Sequence, residues 1–230
     1  MAKKVKVKKA AETKNVGDIL SKSEQFIDKY QKQLLIGVGA IVLVVMVILG
    51  AQHLYLIPRS NEAQVAIFKG ENYFAANQWQ LALYGDSIDY IGFENIIDEY
   101  SMTQTAKLAK AYAGICYYHL GEPEKALDYL KSFSANDKMI GPVITGLMGD
   151  CYVDLDQVEK GIHFFEKAAS KANNMFISPI YLKKAGLAYE SLGLYKQAIE
   201  SFTAIKNNYP NSQEATDIEK FIYRAKNLLK

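Results

Sequence analysis

The chain has 230 residues, half of them apolar, and a formal net charge of +2. That sum hides an asymmetry: residues 1–33 hold nine lysines against four carboxylates, a net of +5, so the remainder carries −3. The larger part is mildly acidic and has no basic stripe to track a phosphate backbone, which excludes nucleic-acid binding, and two cysteines are too few for a disulfide framework.

Residues 1–20 include AKKVKVKKAAETK, lysine-rich and without aromatics, and a disordered cytoplasmic tail is expected there. From 21 to 33 the pattern changes. Ser21 and Glu24 have the spacing of a capping box, and Phe26, Ile27 and Tyr30 fall on one side of the helix it would start, which predicts a juxtamembrane amphipathic helix. Leu34 to Ala51 then runs for eighteen residues without a polar side chain. At helical rise that is about 27 Å, and about 36 Å if continued to Ile57, enough for a bilayer core of roughly 30 Å. A buried core helix would keep a polar face. A cleaved signal peptide would have a shorter apolar run and a small-residue cleavage site. The reading is therefore a single transmembrane signal-anchor over 34–57, with Leu34, Ile41, Val45 and Ile48 as anchor residues and Tyr30 and Tyr55 near the two interfaces. Lysine-rich flanks stay in the cytoplasm, so residues after Pro58 are expected outside, in the periplasm of a bacterium with the span in its inner membrane. The span has neither an ionisable residue nor a G-x-x-x-G face, so plain anchoring is expected. Pro58, Arg59 and Ser60 read as a very short exit, holding the larger part of the chain close to the bilayer.

Past this point the chain repeats itself. Gly70–Tyr73, Gly114–Tyr117, Gly149–Tyr152 and Gly186–Tyr189 all have the form G-x-x-Y, with glycines 44, 35 and 37 residues apart. Nine residues after each tyrosine stands Ala82, Ala126, Gly161 or Ala198. Four further on come Leu130, Phe165 and Phe202, but Asp86 in the first copy. This resembles the tetratricopeptide repeat, a helix–turn–helix unit in which small residues let two helices approach and large apolar groups fill the space beside them. The fourth copy fits best, through Leu182, Gly186, Tyr189, Gly193, Tyr195, Ala198, Phe202 and Pro210. The predicted fold is all-α: four repeats over 60–210 forming an α-solenoid, with an insertion near 84–95 and a capping helix over 211–230. Gly121 and Gly193 read as turns between paired helices. Ser178–Pro179 reads as an N-cap followed by proline at the first helical position, and Gly141–Pro142 looks similar. After Pro210, Asn211 or Ser212 can start the last helix, whose apolar side carries Ala215, Ile218, Phe221, Ile222, Ala225 and Leu228. Gly161, in place of the usual alanine, is expected to cost about 1 kcal/mol mid-helix. The acidic stretch Asp86, Asp89, Glu94, Asp98, Glu99 lacks the ligand spacing of a calcium loop and reads as a solvated surface open to a partner.

No nucleotide, metalloprotease or nucleophile-elbow motif occurs, and His53, His119 and His163 stand alone. Cys116 and Cys151 hold equivalent places in adjacent repeats, about 10 Å apart if the helices stack, too far for a disulfide, so buried thiols are expected. No catalytic residue, cofactor, metal or small-molecule substrate is expected; that leaves binding of proteins.

In the resembled family the concave groove is lined by the first helix of each pair. Mapped here, the groove comprises Gln64, Ile67, Glu71 and Phe74; Leu108, Ala111, Ile115 and Tyr118; Val143, Gly146, Asp150 and Val153; Ile180, Lys183, Leu187 and Glu190. The candidate partner-binding residues among them are Ile67, Phe74, Leu108, Ile115, Tyr118, Val143, Val153 and Leu187. Of the family's carboxylate clamp only Lys183 is left, which disfavours capture of a charged C-terminus. The apolar remainder suits an amphipathic helix or extended hydrophobic segment, unless the same residues serve as core. One anchor, inside-facing lysines and an outside repeat domain together resemble the YfgM-type ancillary subunit of the SecYEG translocon. That resemblance implies translocon subunits, a periplasmic chaperone or emerging chains as partners. A scaffold for another envelope or cell-division complex has the same physics, and a repeat-containing enzyme is the reading from another class.

Overall fold

The computed structural model describes residues 29–33, 35–86, 88–133 and 137–230. The tail at 1–20, the Ser21–Glu24 capping box and Leu34 lie outside them. The chain forms two units, 1–58 and 59–230. Among the described residues the secondary structure is helical and contains no strand.

Among the described residues, one helix, within Lys29–Ala75, is long and apolar enough to cross a membrane by length and composition. In its apolar stretch Ile41, Val45 and Ile48 expose 66%, 47% and 58% of their surface, and no side chain described there is buried. Pro58, Arg59 and Ser60 do not form a non-helical exit: they sit in the first turn of α1 (Ile57–Ala75). The chain reaches Pro58 through a π-helical turn, Gln52–Leu56, in which the Ile57 N–H donates to the Gln52 carbonyl. A proline removes one donor from the helical ladder and crowds the carbonyl four residues back, and a widened turn ahead of it is a known accommodation.

The second unit is a stack of helix pairs. After α1 come α2 (Trp79–Tyr84), α3 (Phe93–Glu99), α4 (Gln104–His119), α5 (Pro123–Lys131), α6 (Ile140–Asp154), α7 (Val158–Ala172), α8 (Ser178–Ser191), α9 (Tyr195–Asn208) and α10 (Ile218–Leu228). The turn inside each pair falls on the residue seven after the motif glycine: Asn77, Gly121, Asp156 and Gly193, all with φ between 56° and 78°. Two of these are glycine and the others asparagine and aspartate, the residue types that tolerate left-handed backbone.

Packing within a pair depends on bare backbone in the first helix. A Cβ on Gly114 would come within 2.6 Å of Leu130, one on Gly149 within 2.7 Å of Phe165, and one on Gly186 would collide with the Phe202 ring. Gly161 is not a simple helix weakness. Its own missing Cβ makes room for Val153, 2.5 Å from where that atom would be, so the local propensity cost sits at a helix crossing.

The first repeat breaks this pattern and then restores it. Its second helix stops at Tyr84, and a loop from Gly85 to Gly92 follows before α3. Gly85 (φ 93°) and Gly92 (φ 90°) close the loop's neck, each standing where a Cβ would strike the other's backbone. Seven residues after Asp86, Phe93 is fully buried, with its ring 2.6 Å from the position of a Gly70 Cβ. It does for Gly70 what Phe165 does for Gly149, and seven is the excess of the 44-residue interval over the 37-residue one.

Two helix starts differ from expectation. Ser178 does not cap α8: its hydroxyl is buried, donating to the Ala169 carbonyl (2.7 Å) and accepting from the Asn174 N–H (3.1 Å). Asn174 supplies the turn instead, its Oδ1 accepting from the N–H groups of Phe176 and Ile177. At α6 the donors of Met139, Ile140 and Gly141 are satisfied by Asp137, whose carboxyl is held below its usual range by those bonds, the one from Met139 foremost. At the C-terminal end, the Ser212 hydroxyl accepts from the Ala215 N–H (3.3 Å) and a single 3₁₀ turn leads into α10. Ile218, Ile222 and Ala225 of α10 cover Phe202 and Ile205, while Leu228 is exposed.

Replacing Gly186 by valine forces the Phe202 ring out of place and is expected to destabilise the repeat unit by about 1–3 kcal/mol. A lowered urea midpoint measures this, and Phe202→Leu in the same chain, by making room, should recover part of the loss.

Candidate groove and acidic loop

The first helices of the pairs, α1, α4, α6 and α8, lie side by side and parallel. Tyr112 donates to Glu71 (3.2 Å), Tyr181 to the Val143 carbonyl (3.2 Å), and Lys184 to both oxygens of Asp150 (2.8 and 2.7 Å). The mapped groove residues divide along this row. Ile67 is buried and Phe74 half-buried, its ring edge-on to Trp79 (5.2 Å) and Tyr112 (4.8 Å). Leu108, Ile115 and Tyr118 are half-buried against the same core, and Val153 packs towards the second cluster. Gly146 lies beneath the Tyr181 ring, which would meet any Cβ there. The exposed apolar positions are Val143 (43%), Ile180 (39%) and Leu187 (40%). The structure thus brings Ile180 and Leu187 together at one end of the row, and does not bring Ile67 or Phe74 to the same surface.

That end is a cleft of ≈ 500 Å³ lined by Ile180, Lys183, Lys184, Leu187, Gln213, Glu214, Thr216 and Asp217. Its far wall is the 3₁₀ turn ahead of α10, a segment the sequence pattern assigns to the cap. The basic groups around the cleft are matched in pairs. Lys183 bonds Asp217 (2.8 Å) and sits 4.4 Å from the Phe221 ring centroid, Lys184 bonds Asp150, and Arg224 bonds Glu190. The one residue left of the carboxylate clamp is therefore already engaged by a carboxylate of this chain. Burial raises the Asp150 carboxyl above its usual range, and the two bonds from Lys184 oppose that shift without cancelling it. Burial pushes the Tyr118 hydroxyl up to about 12, helped by Asp150 and Asp154. Neither pairing was legible in the sequence, since the partners lie 34 residues apart on different helices.

Of the acidic stretch, Asp89, Asp98 and Glu99 are exposed as expected, whereas Asp86 and Glu94 are half-buried. Asp86 turns into its own loop, where one oxygen accepts from the N–H groups of Ile88, Asp89 and Tyr90 at 3.0–3.1 Å and the other from the Tyr73 hydroxyl at 2.8 Å. These bonds, that of Ile88 largest, hold its carboxyl well below the usual carboxylate range. Tyr90 is buried and donates to the Ala82 carbonyl (2.7 Å). Asp89 pairs with Lys69. Glu94 accepts from Tyr117 and, at 2.9 Å, from Tyr129, binding α3 to both helices of the second pair. Tyr189 repeats the Tyr117 contact two repeats on, donating to Glu166 (2.7 Å); both partners lie 23 residues back. His119 stacks on Trp79 (4.3 Å between centroids, 7° between planes), a packing role. Cys116 and Cys151 are free and fully buried, and burial pushes each thiol up to about 12. Among the described residues no three histidine, cysteine or acidic side chains are grouped to hold a metal ion.

The tetratricopeptide repeat family model matches residues 109–137 and 182–212, the second and fourth pairs. No protein among the curated ones matches the chain. Solved structures with the same fold include two of MamA. One is 18% identical at a TM-score of 0.56, over 73% of this chain and 84% of that one; the other is 19% identical at 0.54, over 70% and 85%. The kinesin light chain TPR-like repeats of Podosopora anserina are 11% identical at a TM-score of 0.55, over 74% of this chain and 87% of that one. At such identities the likeness is one of fold: an α-solenoid of the tetratricopeptide type.

The Asp86 carboxylate is stabilising above its unfolded pKa near 4, and that contribution is lost as pH falls towards the depressed folded value. Asp86→Ala should therefore lower the urea midpoint most at neutral pH, and the gap to the wild-type chain should close on acidification below about pH 4. A gap that stays constant with pH would show that the carboxylate does not hold the loop.

Proposed function

We propose that the protein is a membrane-tethered, non-enzymatic adaptor that grips an apolar segment of another protein in the cleft beside α8. The repeats themselves make it a protein-interaction module. The observation that carries the finer reading is the chemistry of the cleft, where Ile180 and Leu187 stand open while its two lysines, Lys183 and Lys184, are already held by carboxylates of this chain. A charged peptide terminus would have to break the Lys183–Asp217 pair to be held, whereas an amphipathic helix or extended apolar segment gains by covering the exposed side chains. Val143 on α6 extends this surface by one repeat. The helix within Lys29–Ala75 serves as a single-span anchor, with the lysine-rich end inside and the repeats in the periplasm of a bacterial inner membrane. Layout and cleft together favour an accessory subunit of the Sec translocon that meets emerging chains or a periplasmic chaperone.

A photo-reactive residue at Ile180, in cells, followed by purification in mild detergent, tests both levels of this reading. Translocon subunits, a chaperone or client chains are the expected products, and Leu187→Asp should weaken their recovery by about tenfold, equivalent to about 1.4 kcal/mol. Capture of division or envelope-assembly proteins alone would assign the scaffold role instead. No product above that from a reactive residue at Lys196, on α9, would remove the cleft from consideration. A reporter fused after Lys230 that reads cytoplasmic would reverse the topology.

A further inference from the structure

Because α1, α4, α6 and α8 run parallel, the turns that lead into them lie along one edge of the repeat unit. Asn174 Nδ2 donates to the Lys138 carbonyl (3.1 Å), joining two successive turns on that edge. Arg59 stands at its head. One guanidinium nitrogen donates to the Glu99 carbonyl (2.6 Å) and the group lies 5.4 Å from the Tyr100 ring centroid, beside the turn that carries Met102.

Large apolar side chains stand exposed along this edge. Met102 shows 75% of its surface, Met139 and Ile140 show 56% and 53%, and Met175 and Phe176 show 44% and 68%. They occupy three successive turns. The fourth turn, counted away from Arg59, is Pro210, Asn211, Ser212 and Gln213. On the opposite edge, at the turns of Asn77, Gly121, Asp156 and Gly193, the large aliphatic side chains left exposed among the described residues are Leu81 and Leu194, each at 38%. Single exposed apolar residues are ordinary, but a row confined to one edge of consecutive repeats is not.

From Ile57, the end of the apolar segment, the chain reaches Arg59 in two residues, at most about 7 Å of backbone. The row therefore lies on the edge where the chain enters the repeats. We propose that this edge rests on the bilayer surface, with Met102, Met139 and Phe176 entering the interfacial layer. The inference rests on the reading of 34–57 as a membrane span. Unbranched methionine and an aromatic ring suit that uneven boundary. The charged groups on the edge, Arg59, Lys131, Lys138 and Lys171 with Glu99 and Asp137, are of both signs, and the apolar side chains carry the adhesion in a neutral bilayer.

The full chain in phosphatidylcholine vesicles bearing a nitroxide quencher near the headgroup provides the test. A fluorophore is placed on Ser101→Cys, at the edge, or on Gln197→Cys, about a helix length away at the other edge. Cys116 and Cys151 stay unlabelled at neutral pH because both are buried with raised thiol pKa values. Quenching at 101 should exceed that at 197 by about threefold in the neutral vesicles, and fall to the level of 197 when Met102, Met139 and Phe176 all become serine. Equal quenching at the two positions, or quenching at 101 that survives the triple change in a chain of unaltered helicity, overturns the proposal. Flotation of the same vesicles reports the anchor separately. A chain that floats without contrast between positions refutes the edge alone; one that does not float removes span and edge together.

Discussion

The repeat unit depends on one steric constraint, the close approach of two helices where the first has no side chain. Gly114, Gly149 and Gly186 leave room for Leu130, Phe165 and Phe202 to lie against bare backbone. Turn positions, helix order and the placing of the cleft follow from keeping that contact in each pair. Between pairs a second set of contacts acts, such as the Tyr181 ring on Gly146 and the Tyr189 hydroxyl on Glu166. Each pair on its own could not bury its apolar face, so the stack is cooperative and needs an end. α10 supplies it, covering Phe202 and Ile205 on one side and presenting charge on the other.

The first repeat shows how much local irregularity this constraint tolerates. Seven extra residues would put the second helix out of register, so the helix is broken and restarted, with the surplus gathered between two glycines at positive φ that no residue bearing a Cβ could replace cheaply. Asp86 then holds the loop together from inside by accepting backbone donors that the broken helix would otherwise leave free. An acidic residue at an expected core position is thus a consequence of the insertion. The same segment ties the first pair to the second through Glu94, so the irregular repeat is bonded into the stack more densely than a plain surface loop.

The row of first helices is uneven for related reasons. In the first two pairs, aromatic groups such as Phe74, Trp79, Phe93 and Tyr112 close the space between helices. Towards the C-terminal end, the turn ahead of α10 stands off from α8 and leaves a cleft between them. Ion pairs at its rim, half-exposed and each between different helices, contribute more to holding that geometry than to net stability. What stays open is aliphatic.

By itself the sequence determined the repeats, because glycine, tyrosine and small-residue spacing report directly on how closely two helices must pass, whatever lies around them. The long apolar segment was equally plain, since length and composition are properties of the chain alone. The tertiary structure decided which mapped residues face solvent and which face a neighbour: a helix position such as Ile67 or Leu187 has the same local signature whether the next helix covers it or not. It also decided the fate of the charges. Asp86, Glu94, Lys183 and Asp217 look alike as solvated side chains in one dimension; Asp86 is held partly by its own loop, and the other partners, 13 to 35 residues away in the chain, come within reach only once the repeats are packed.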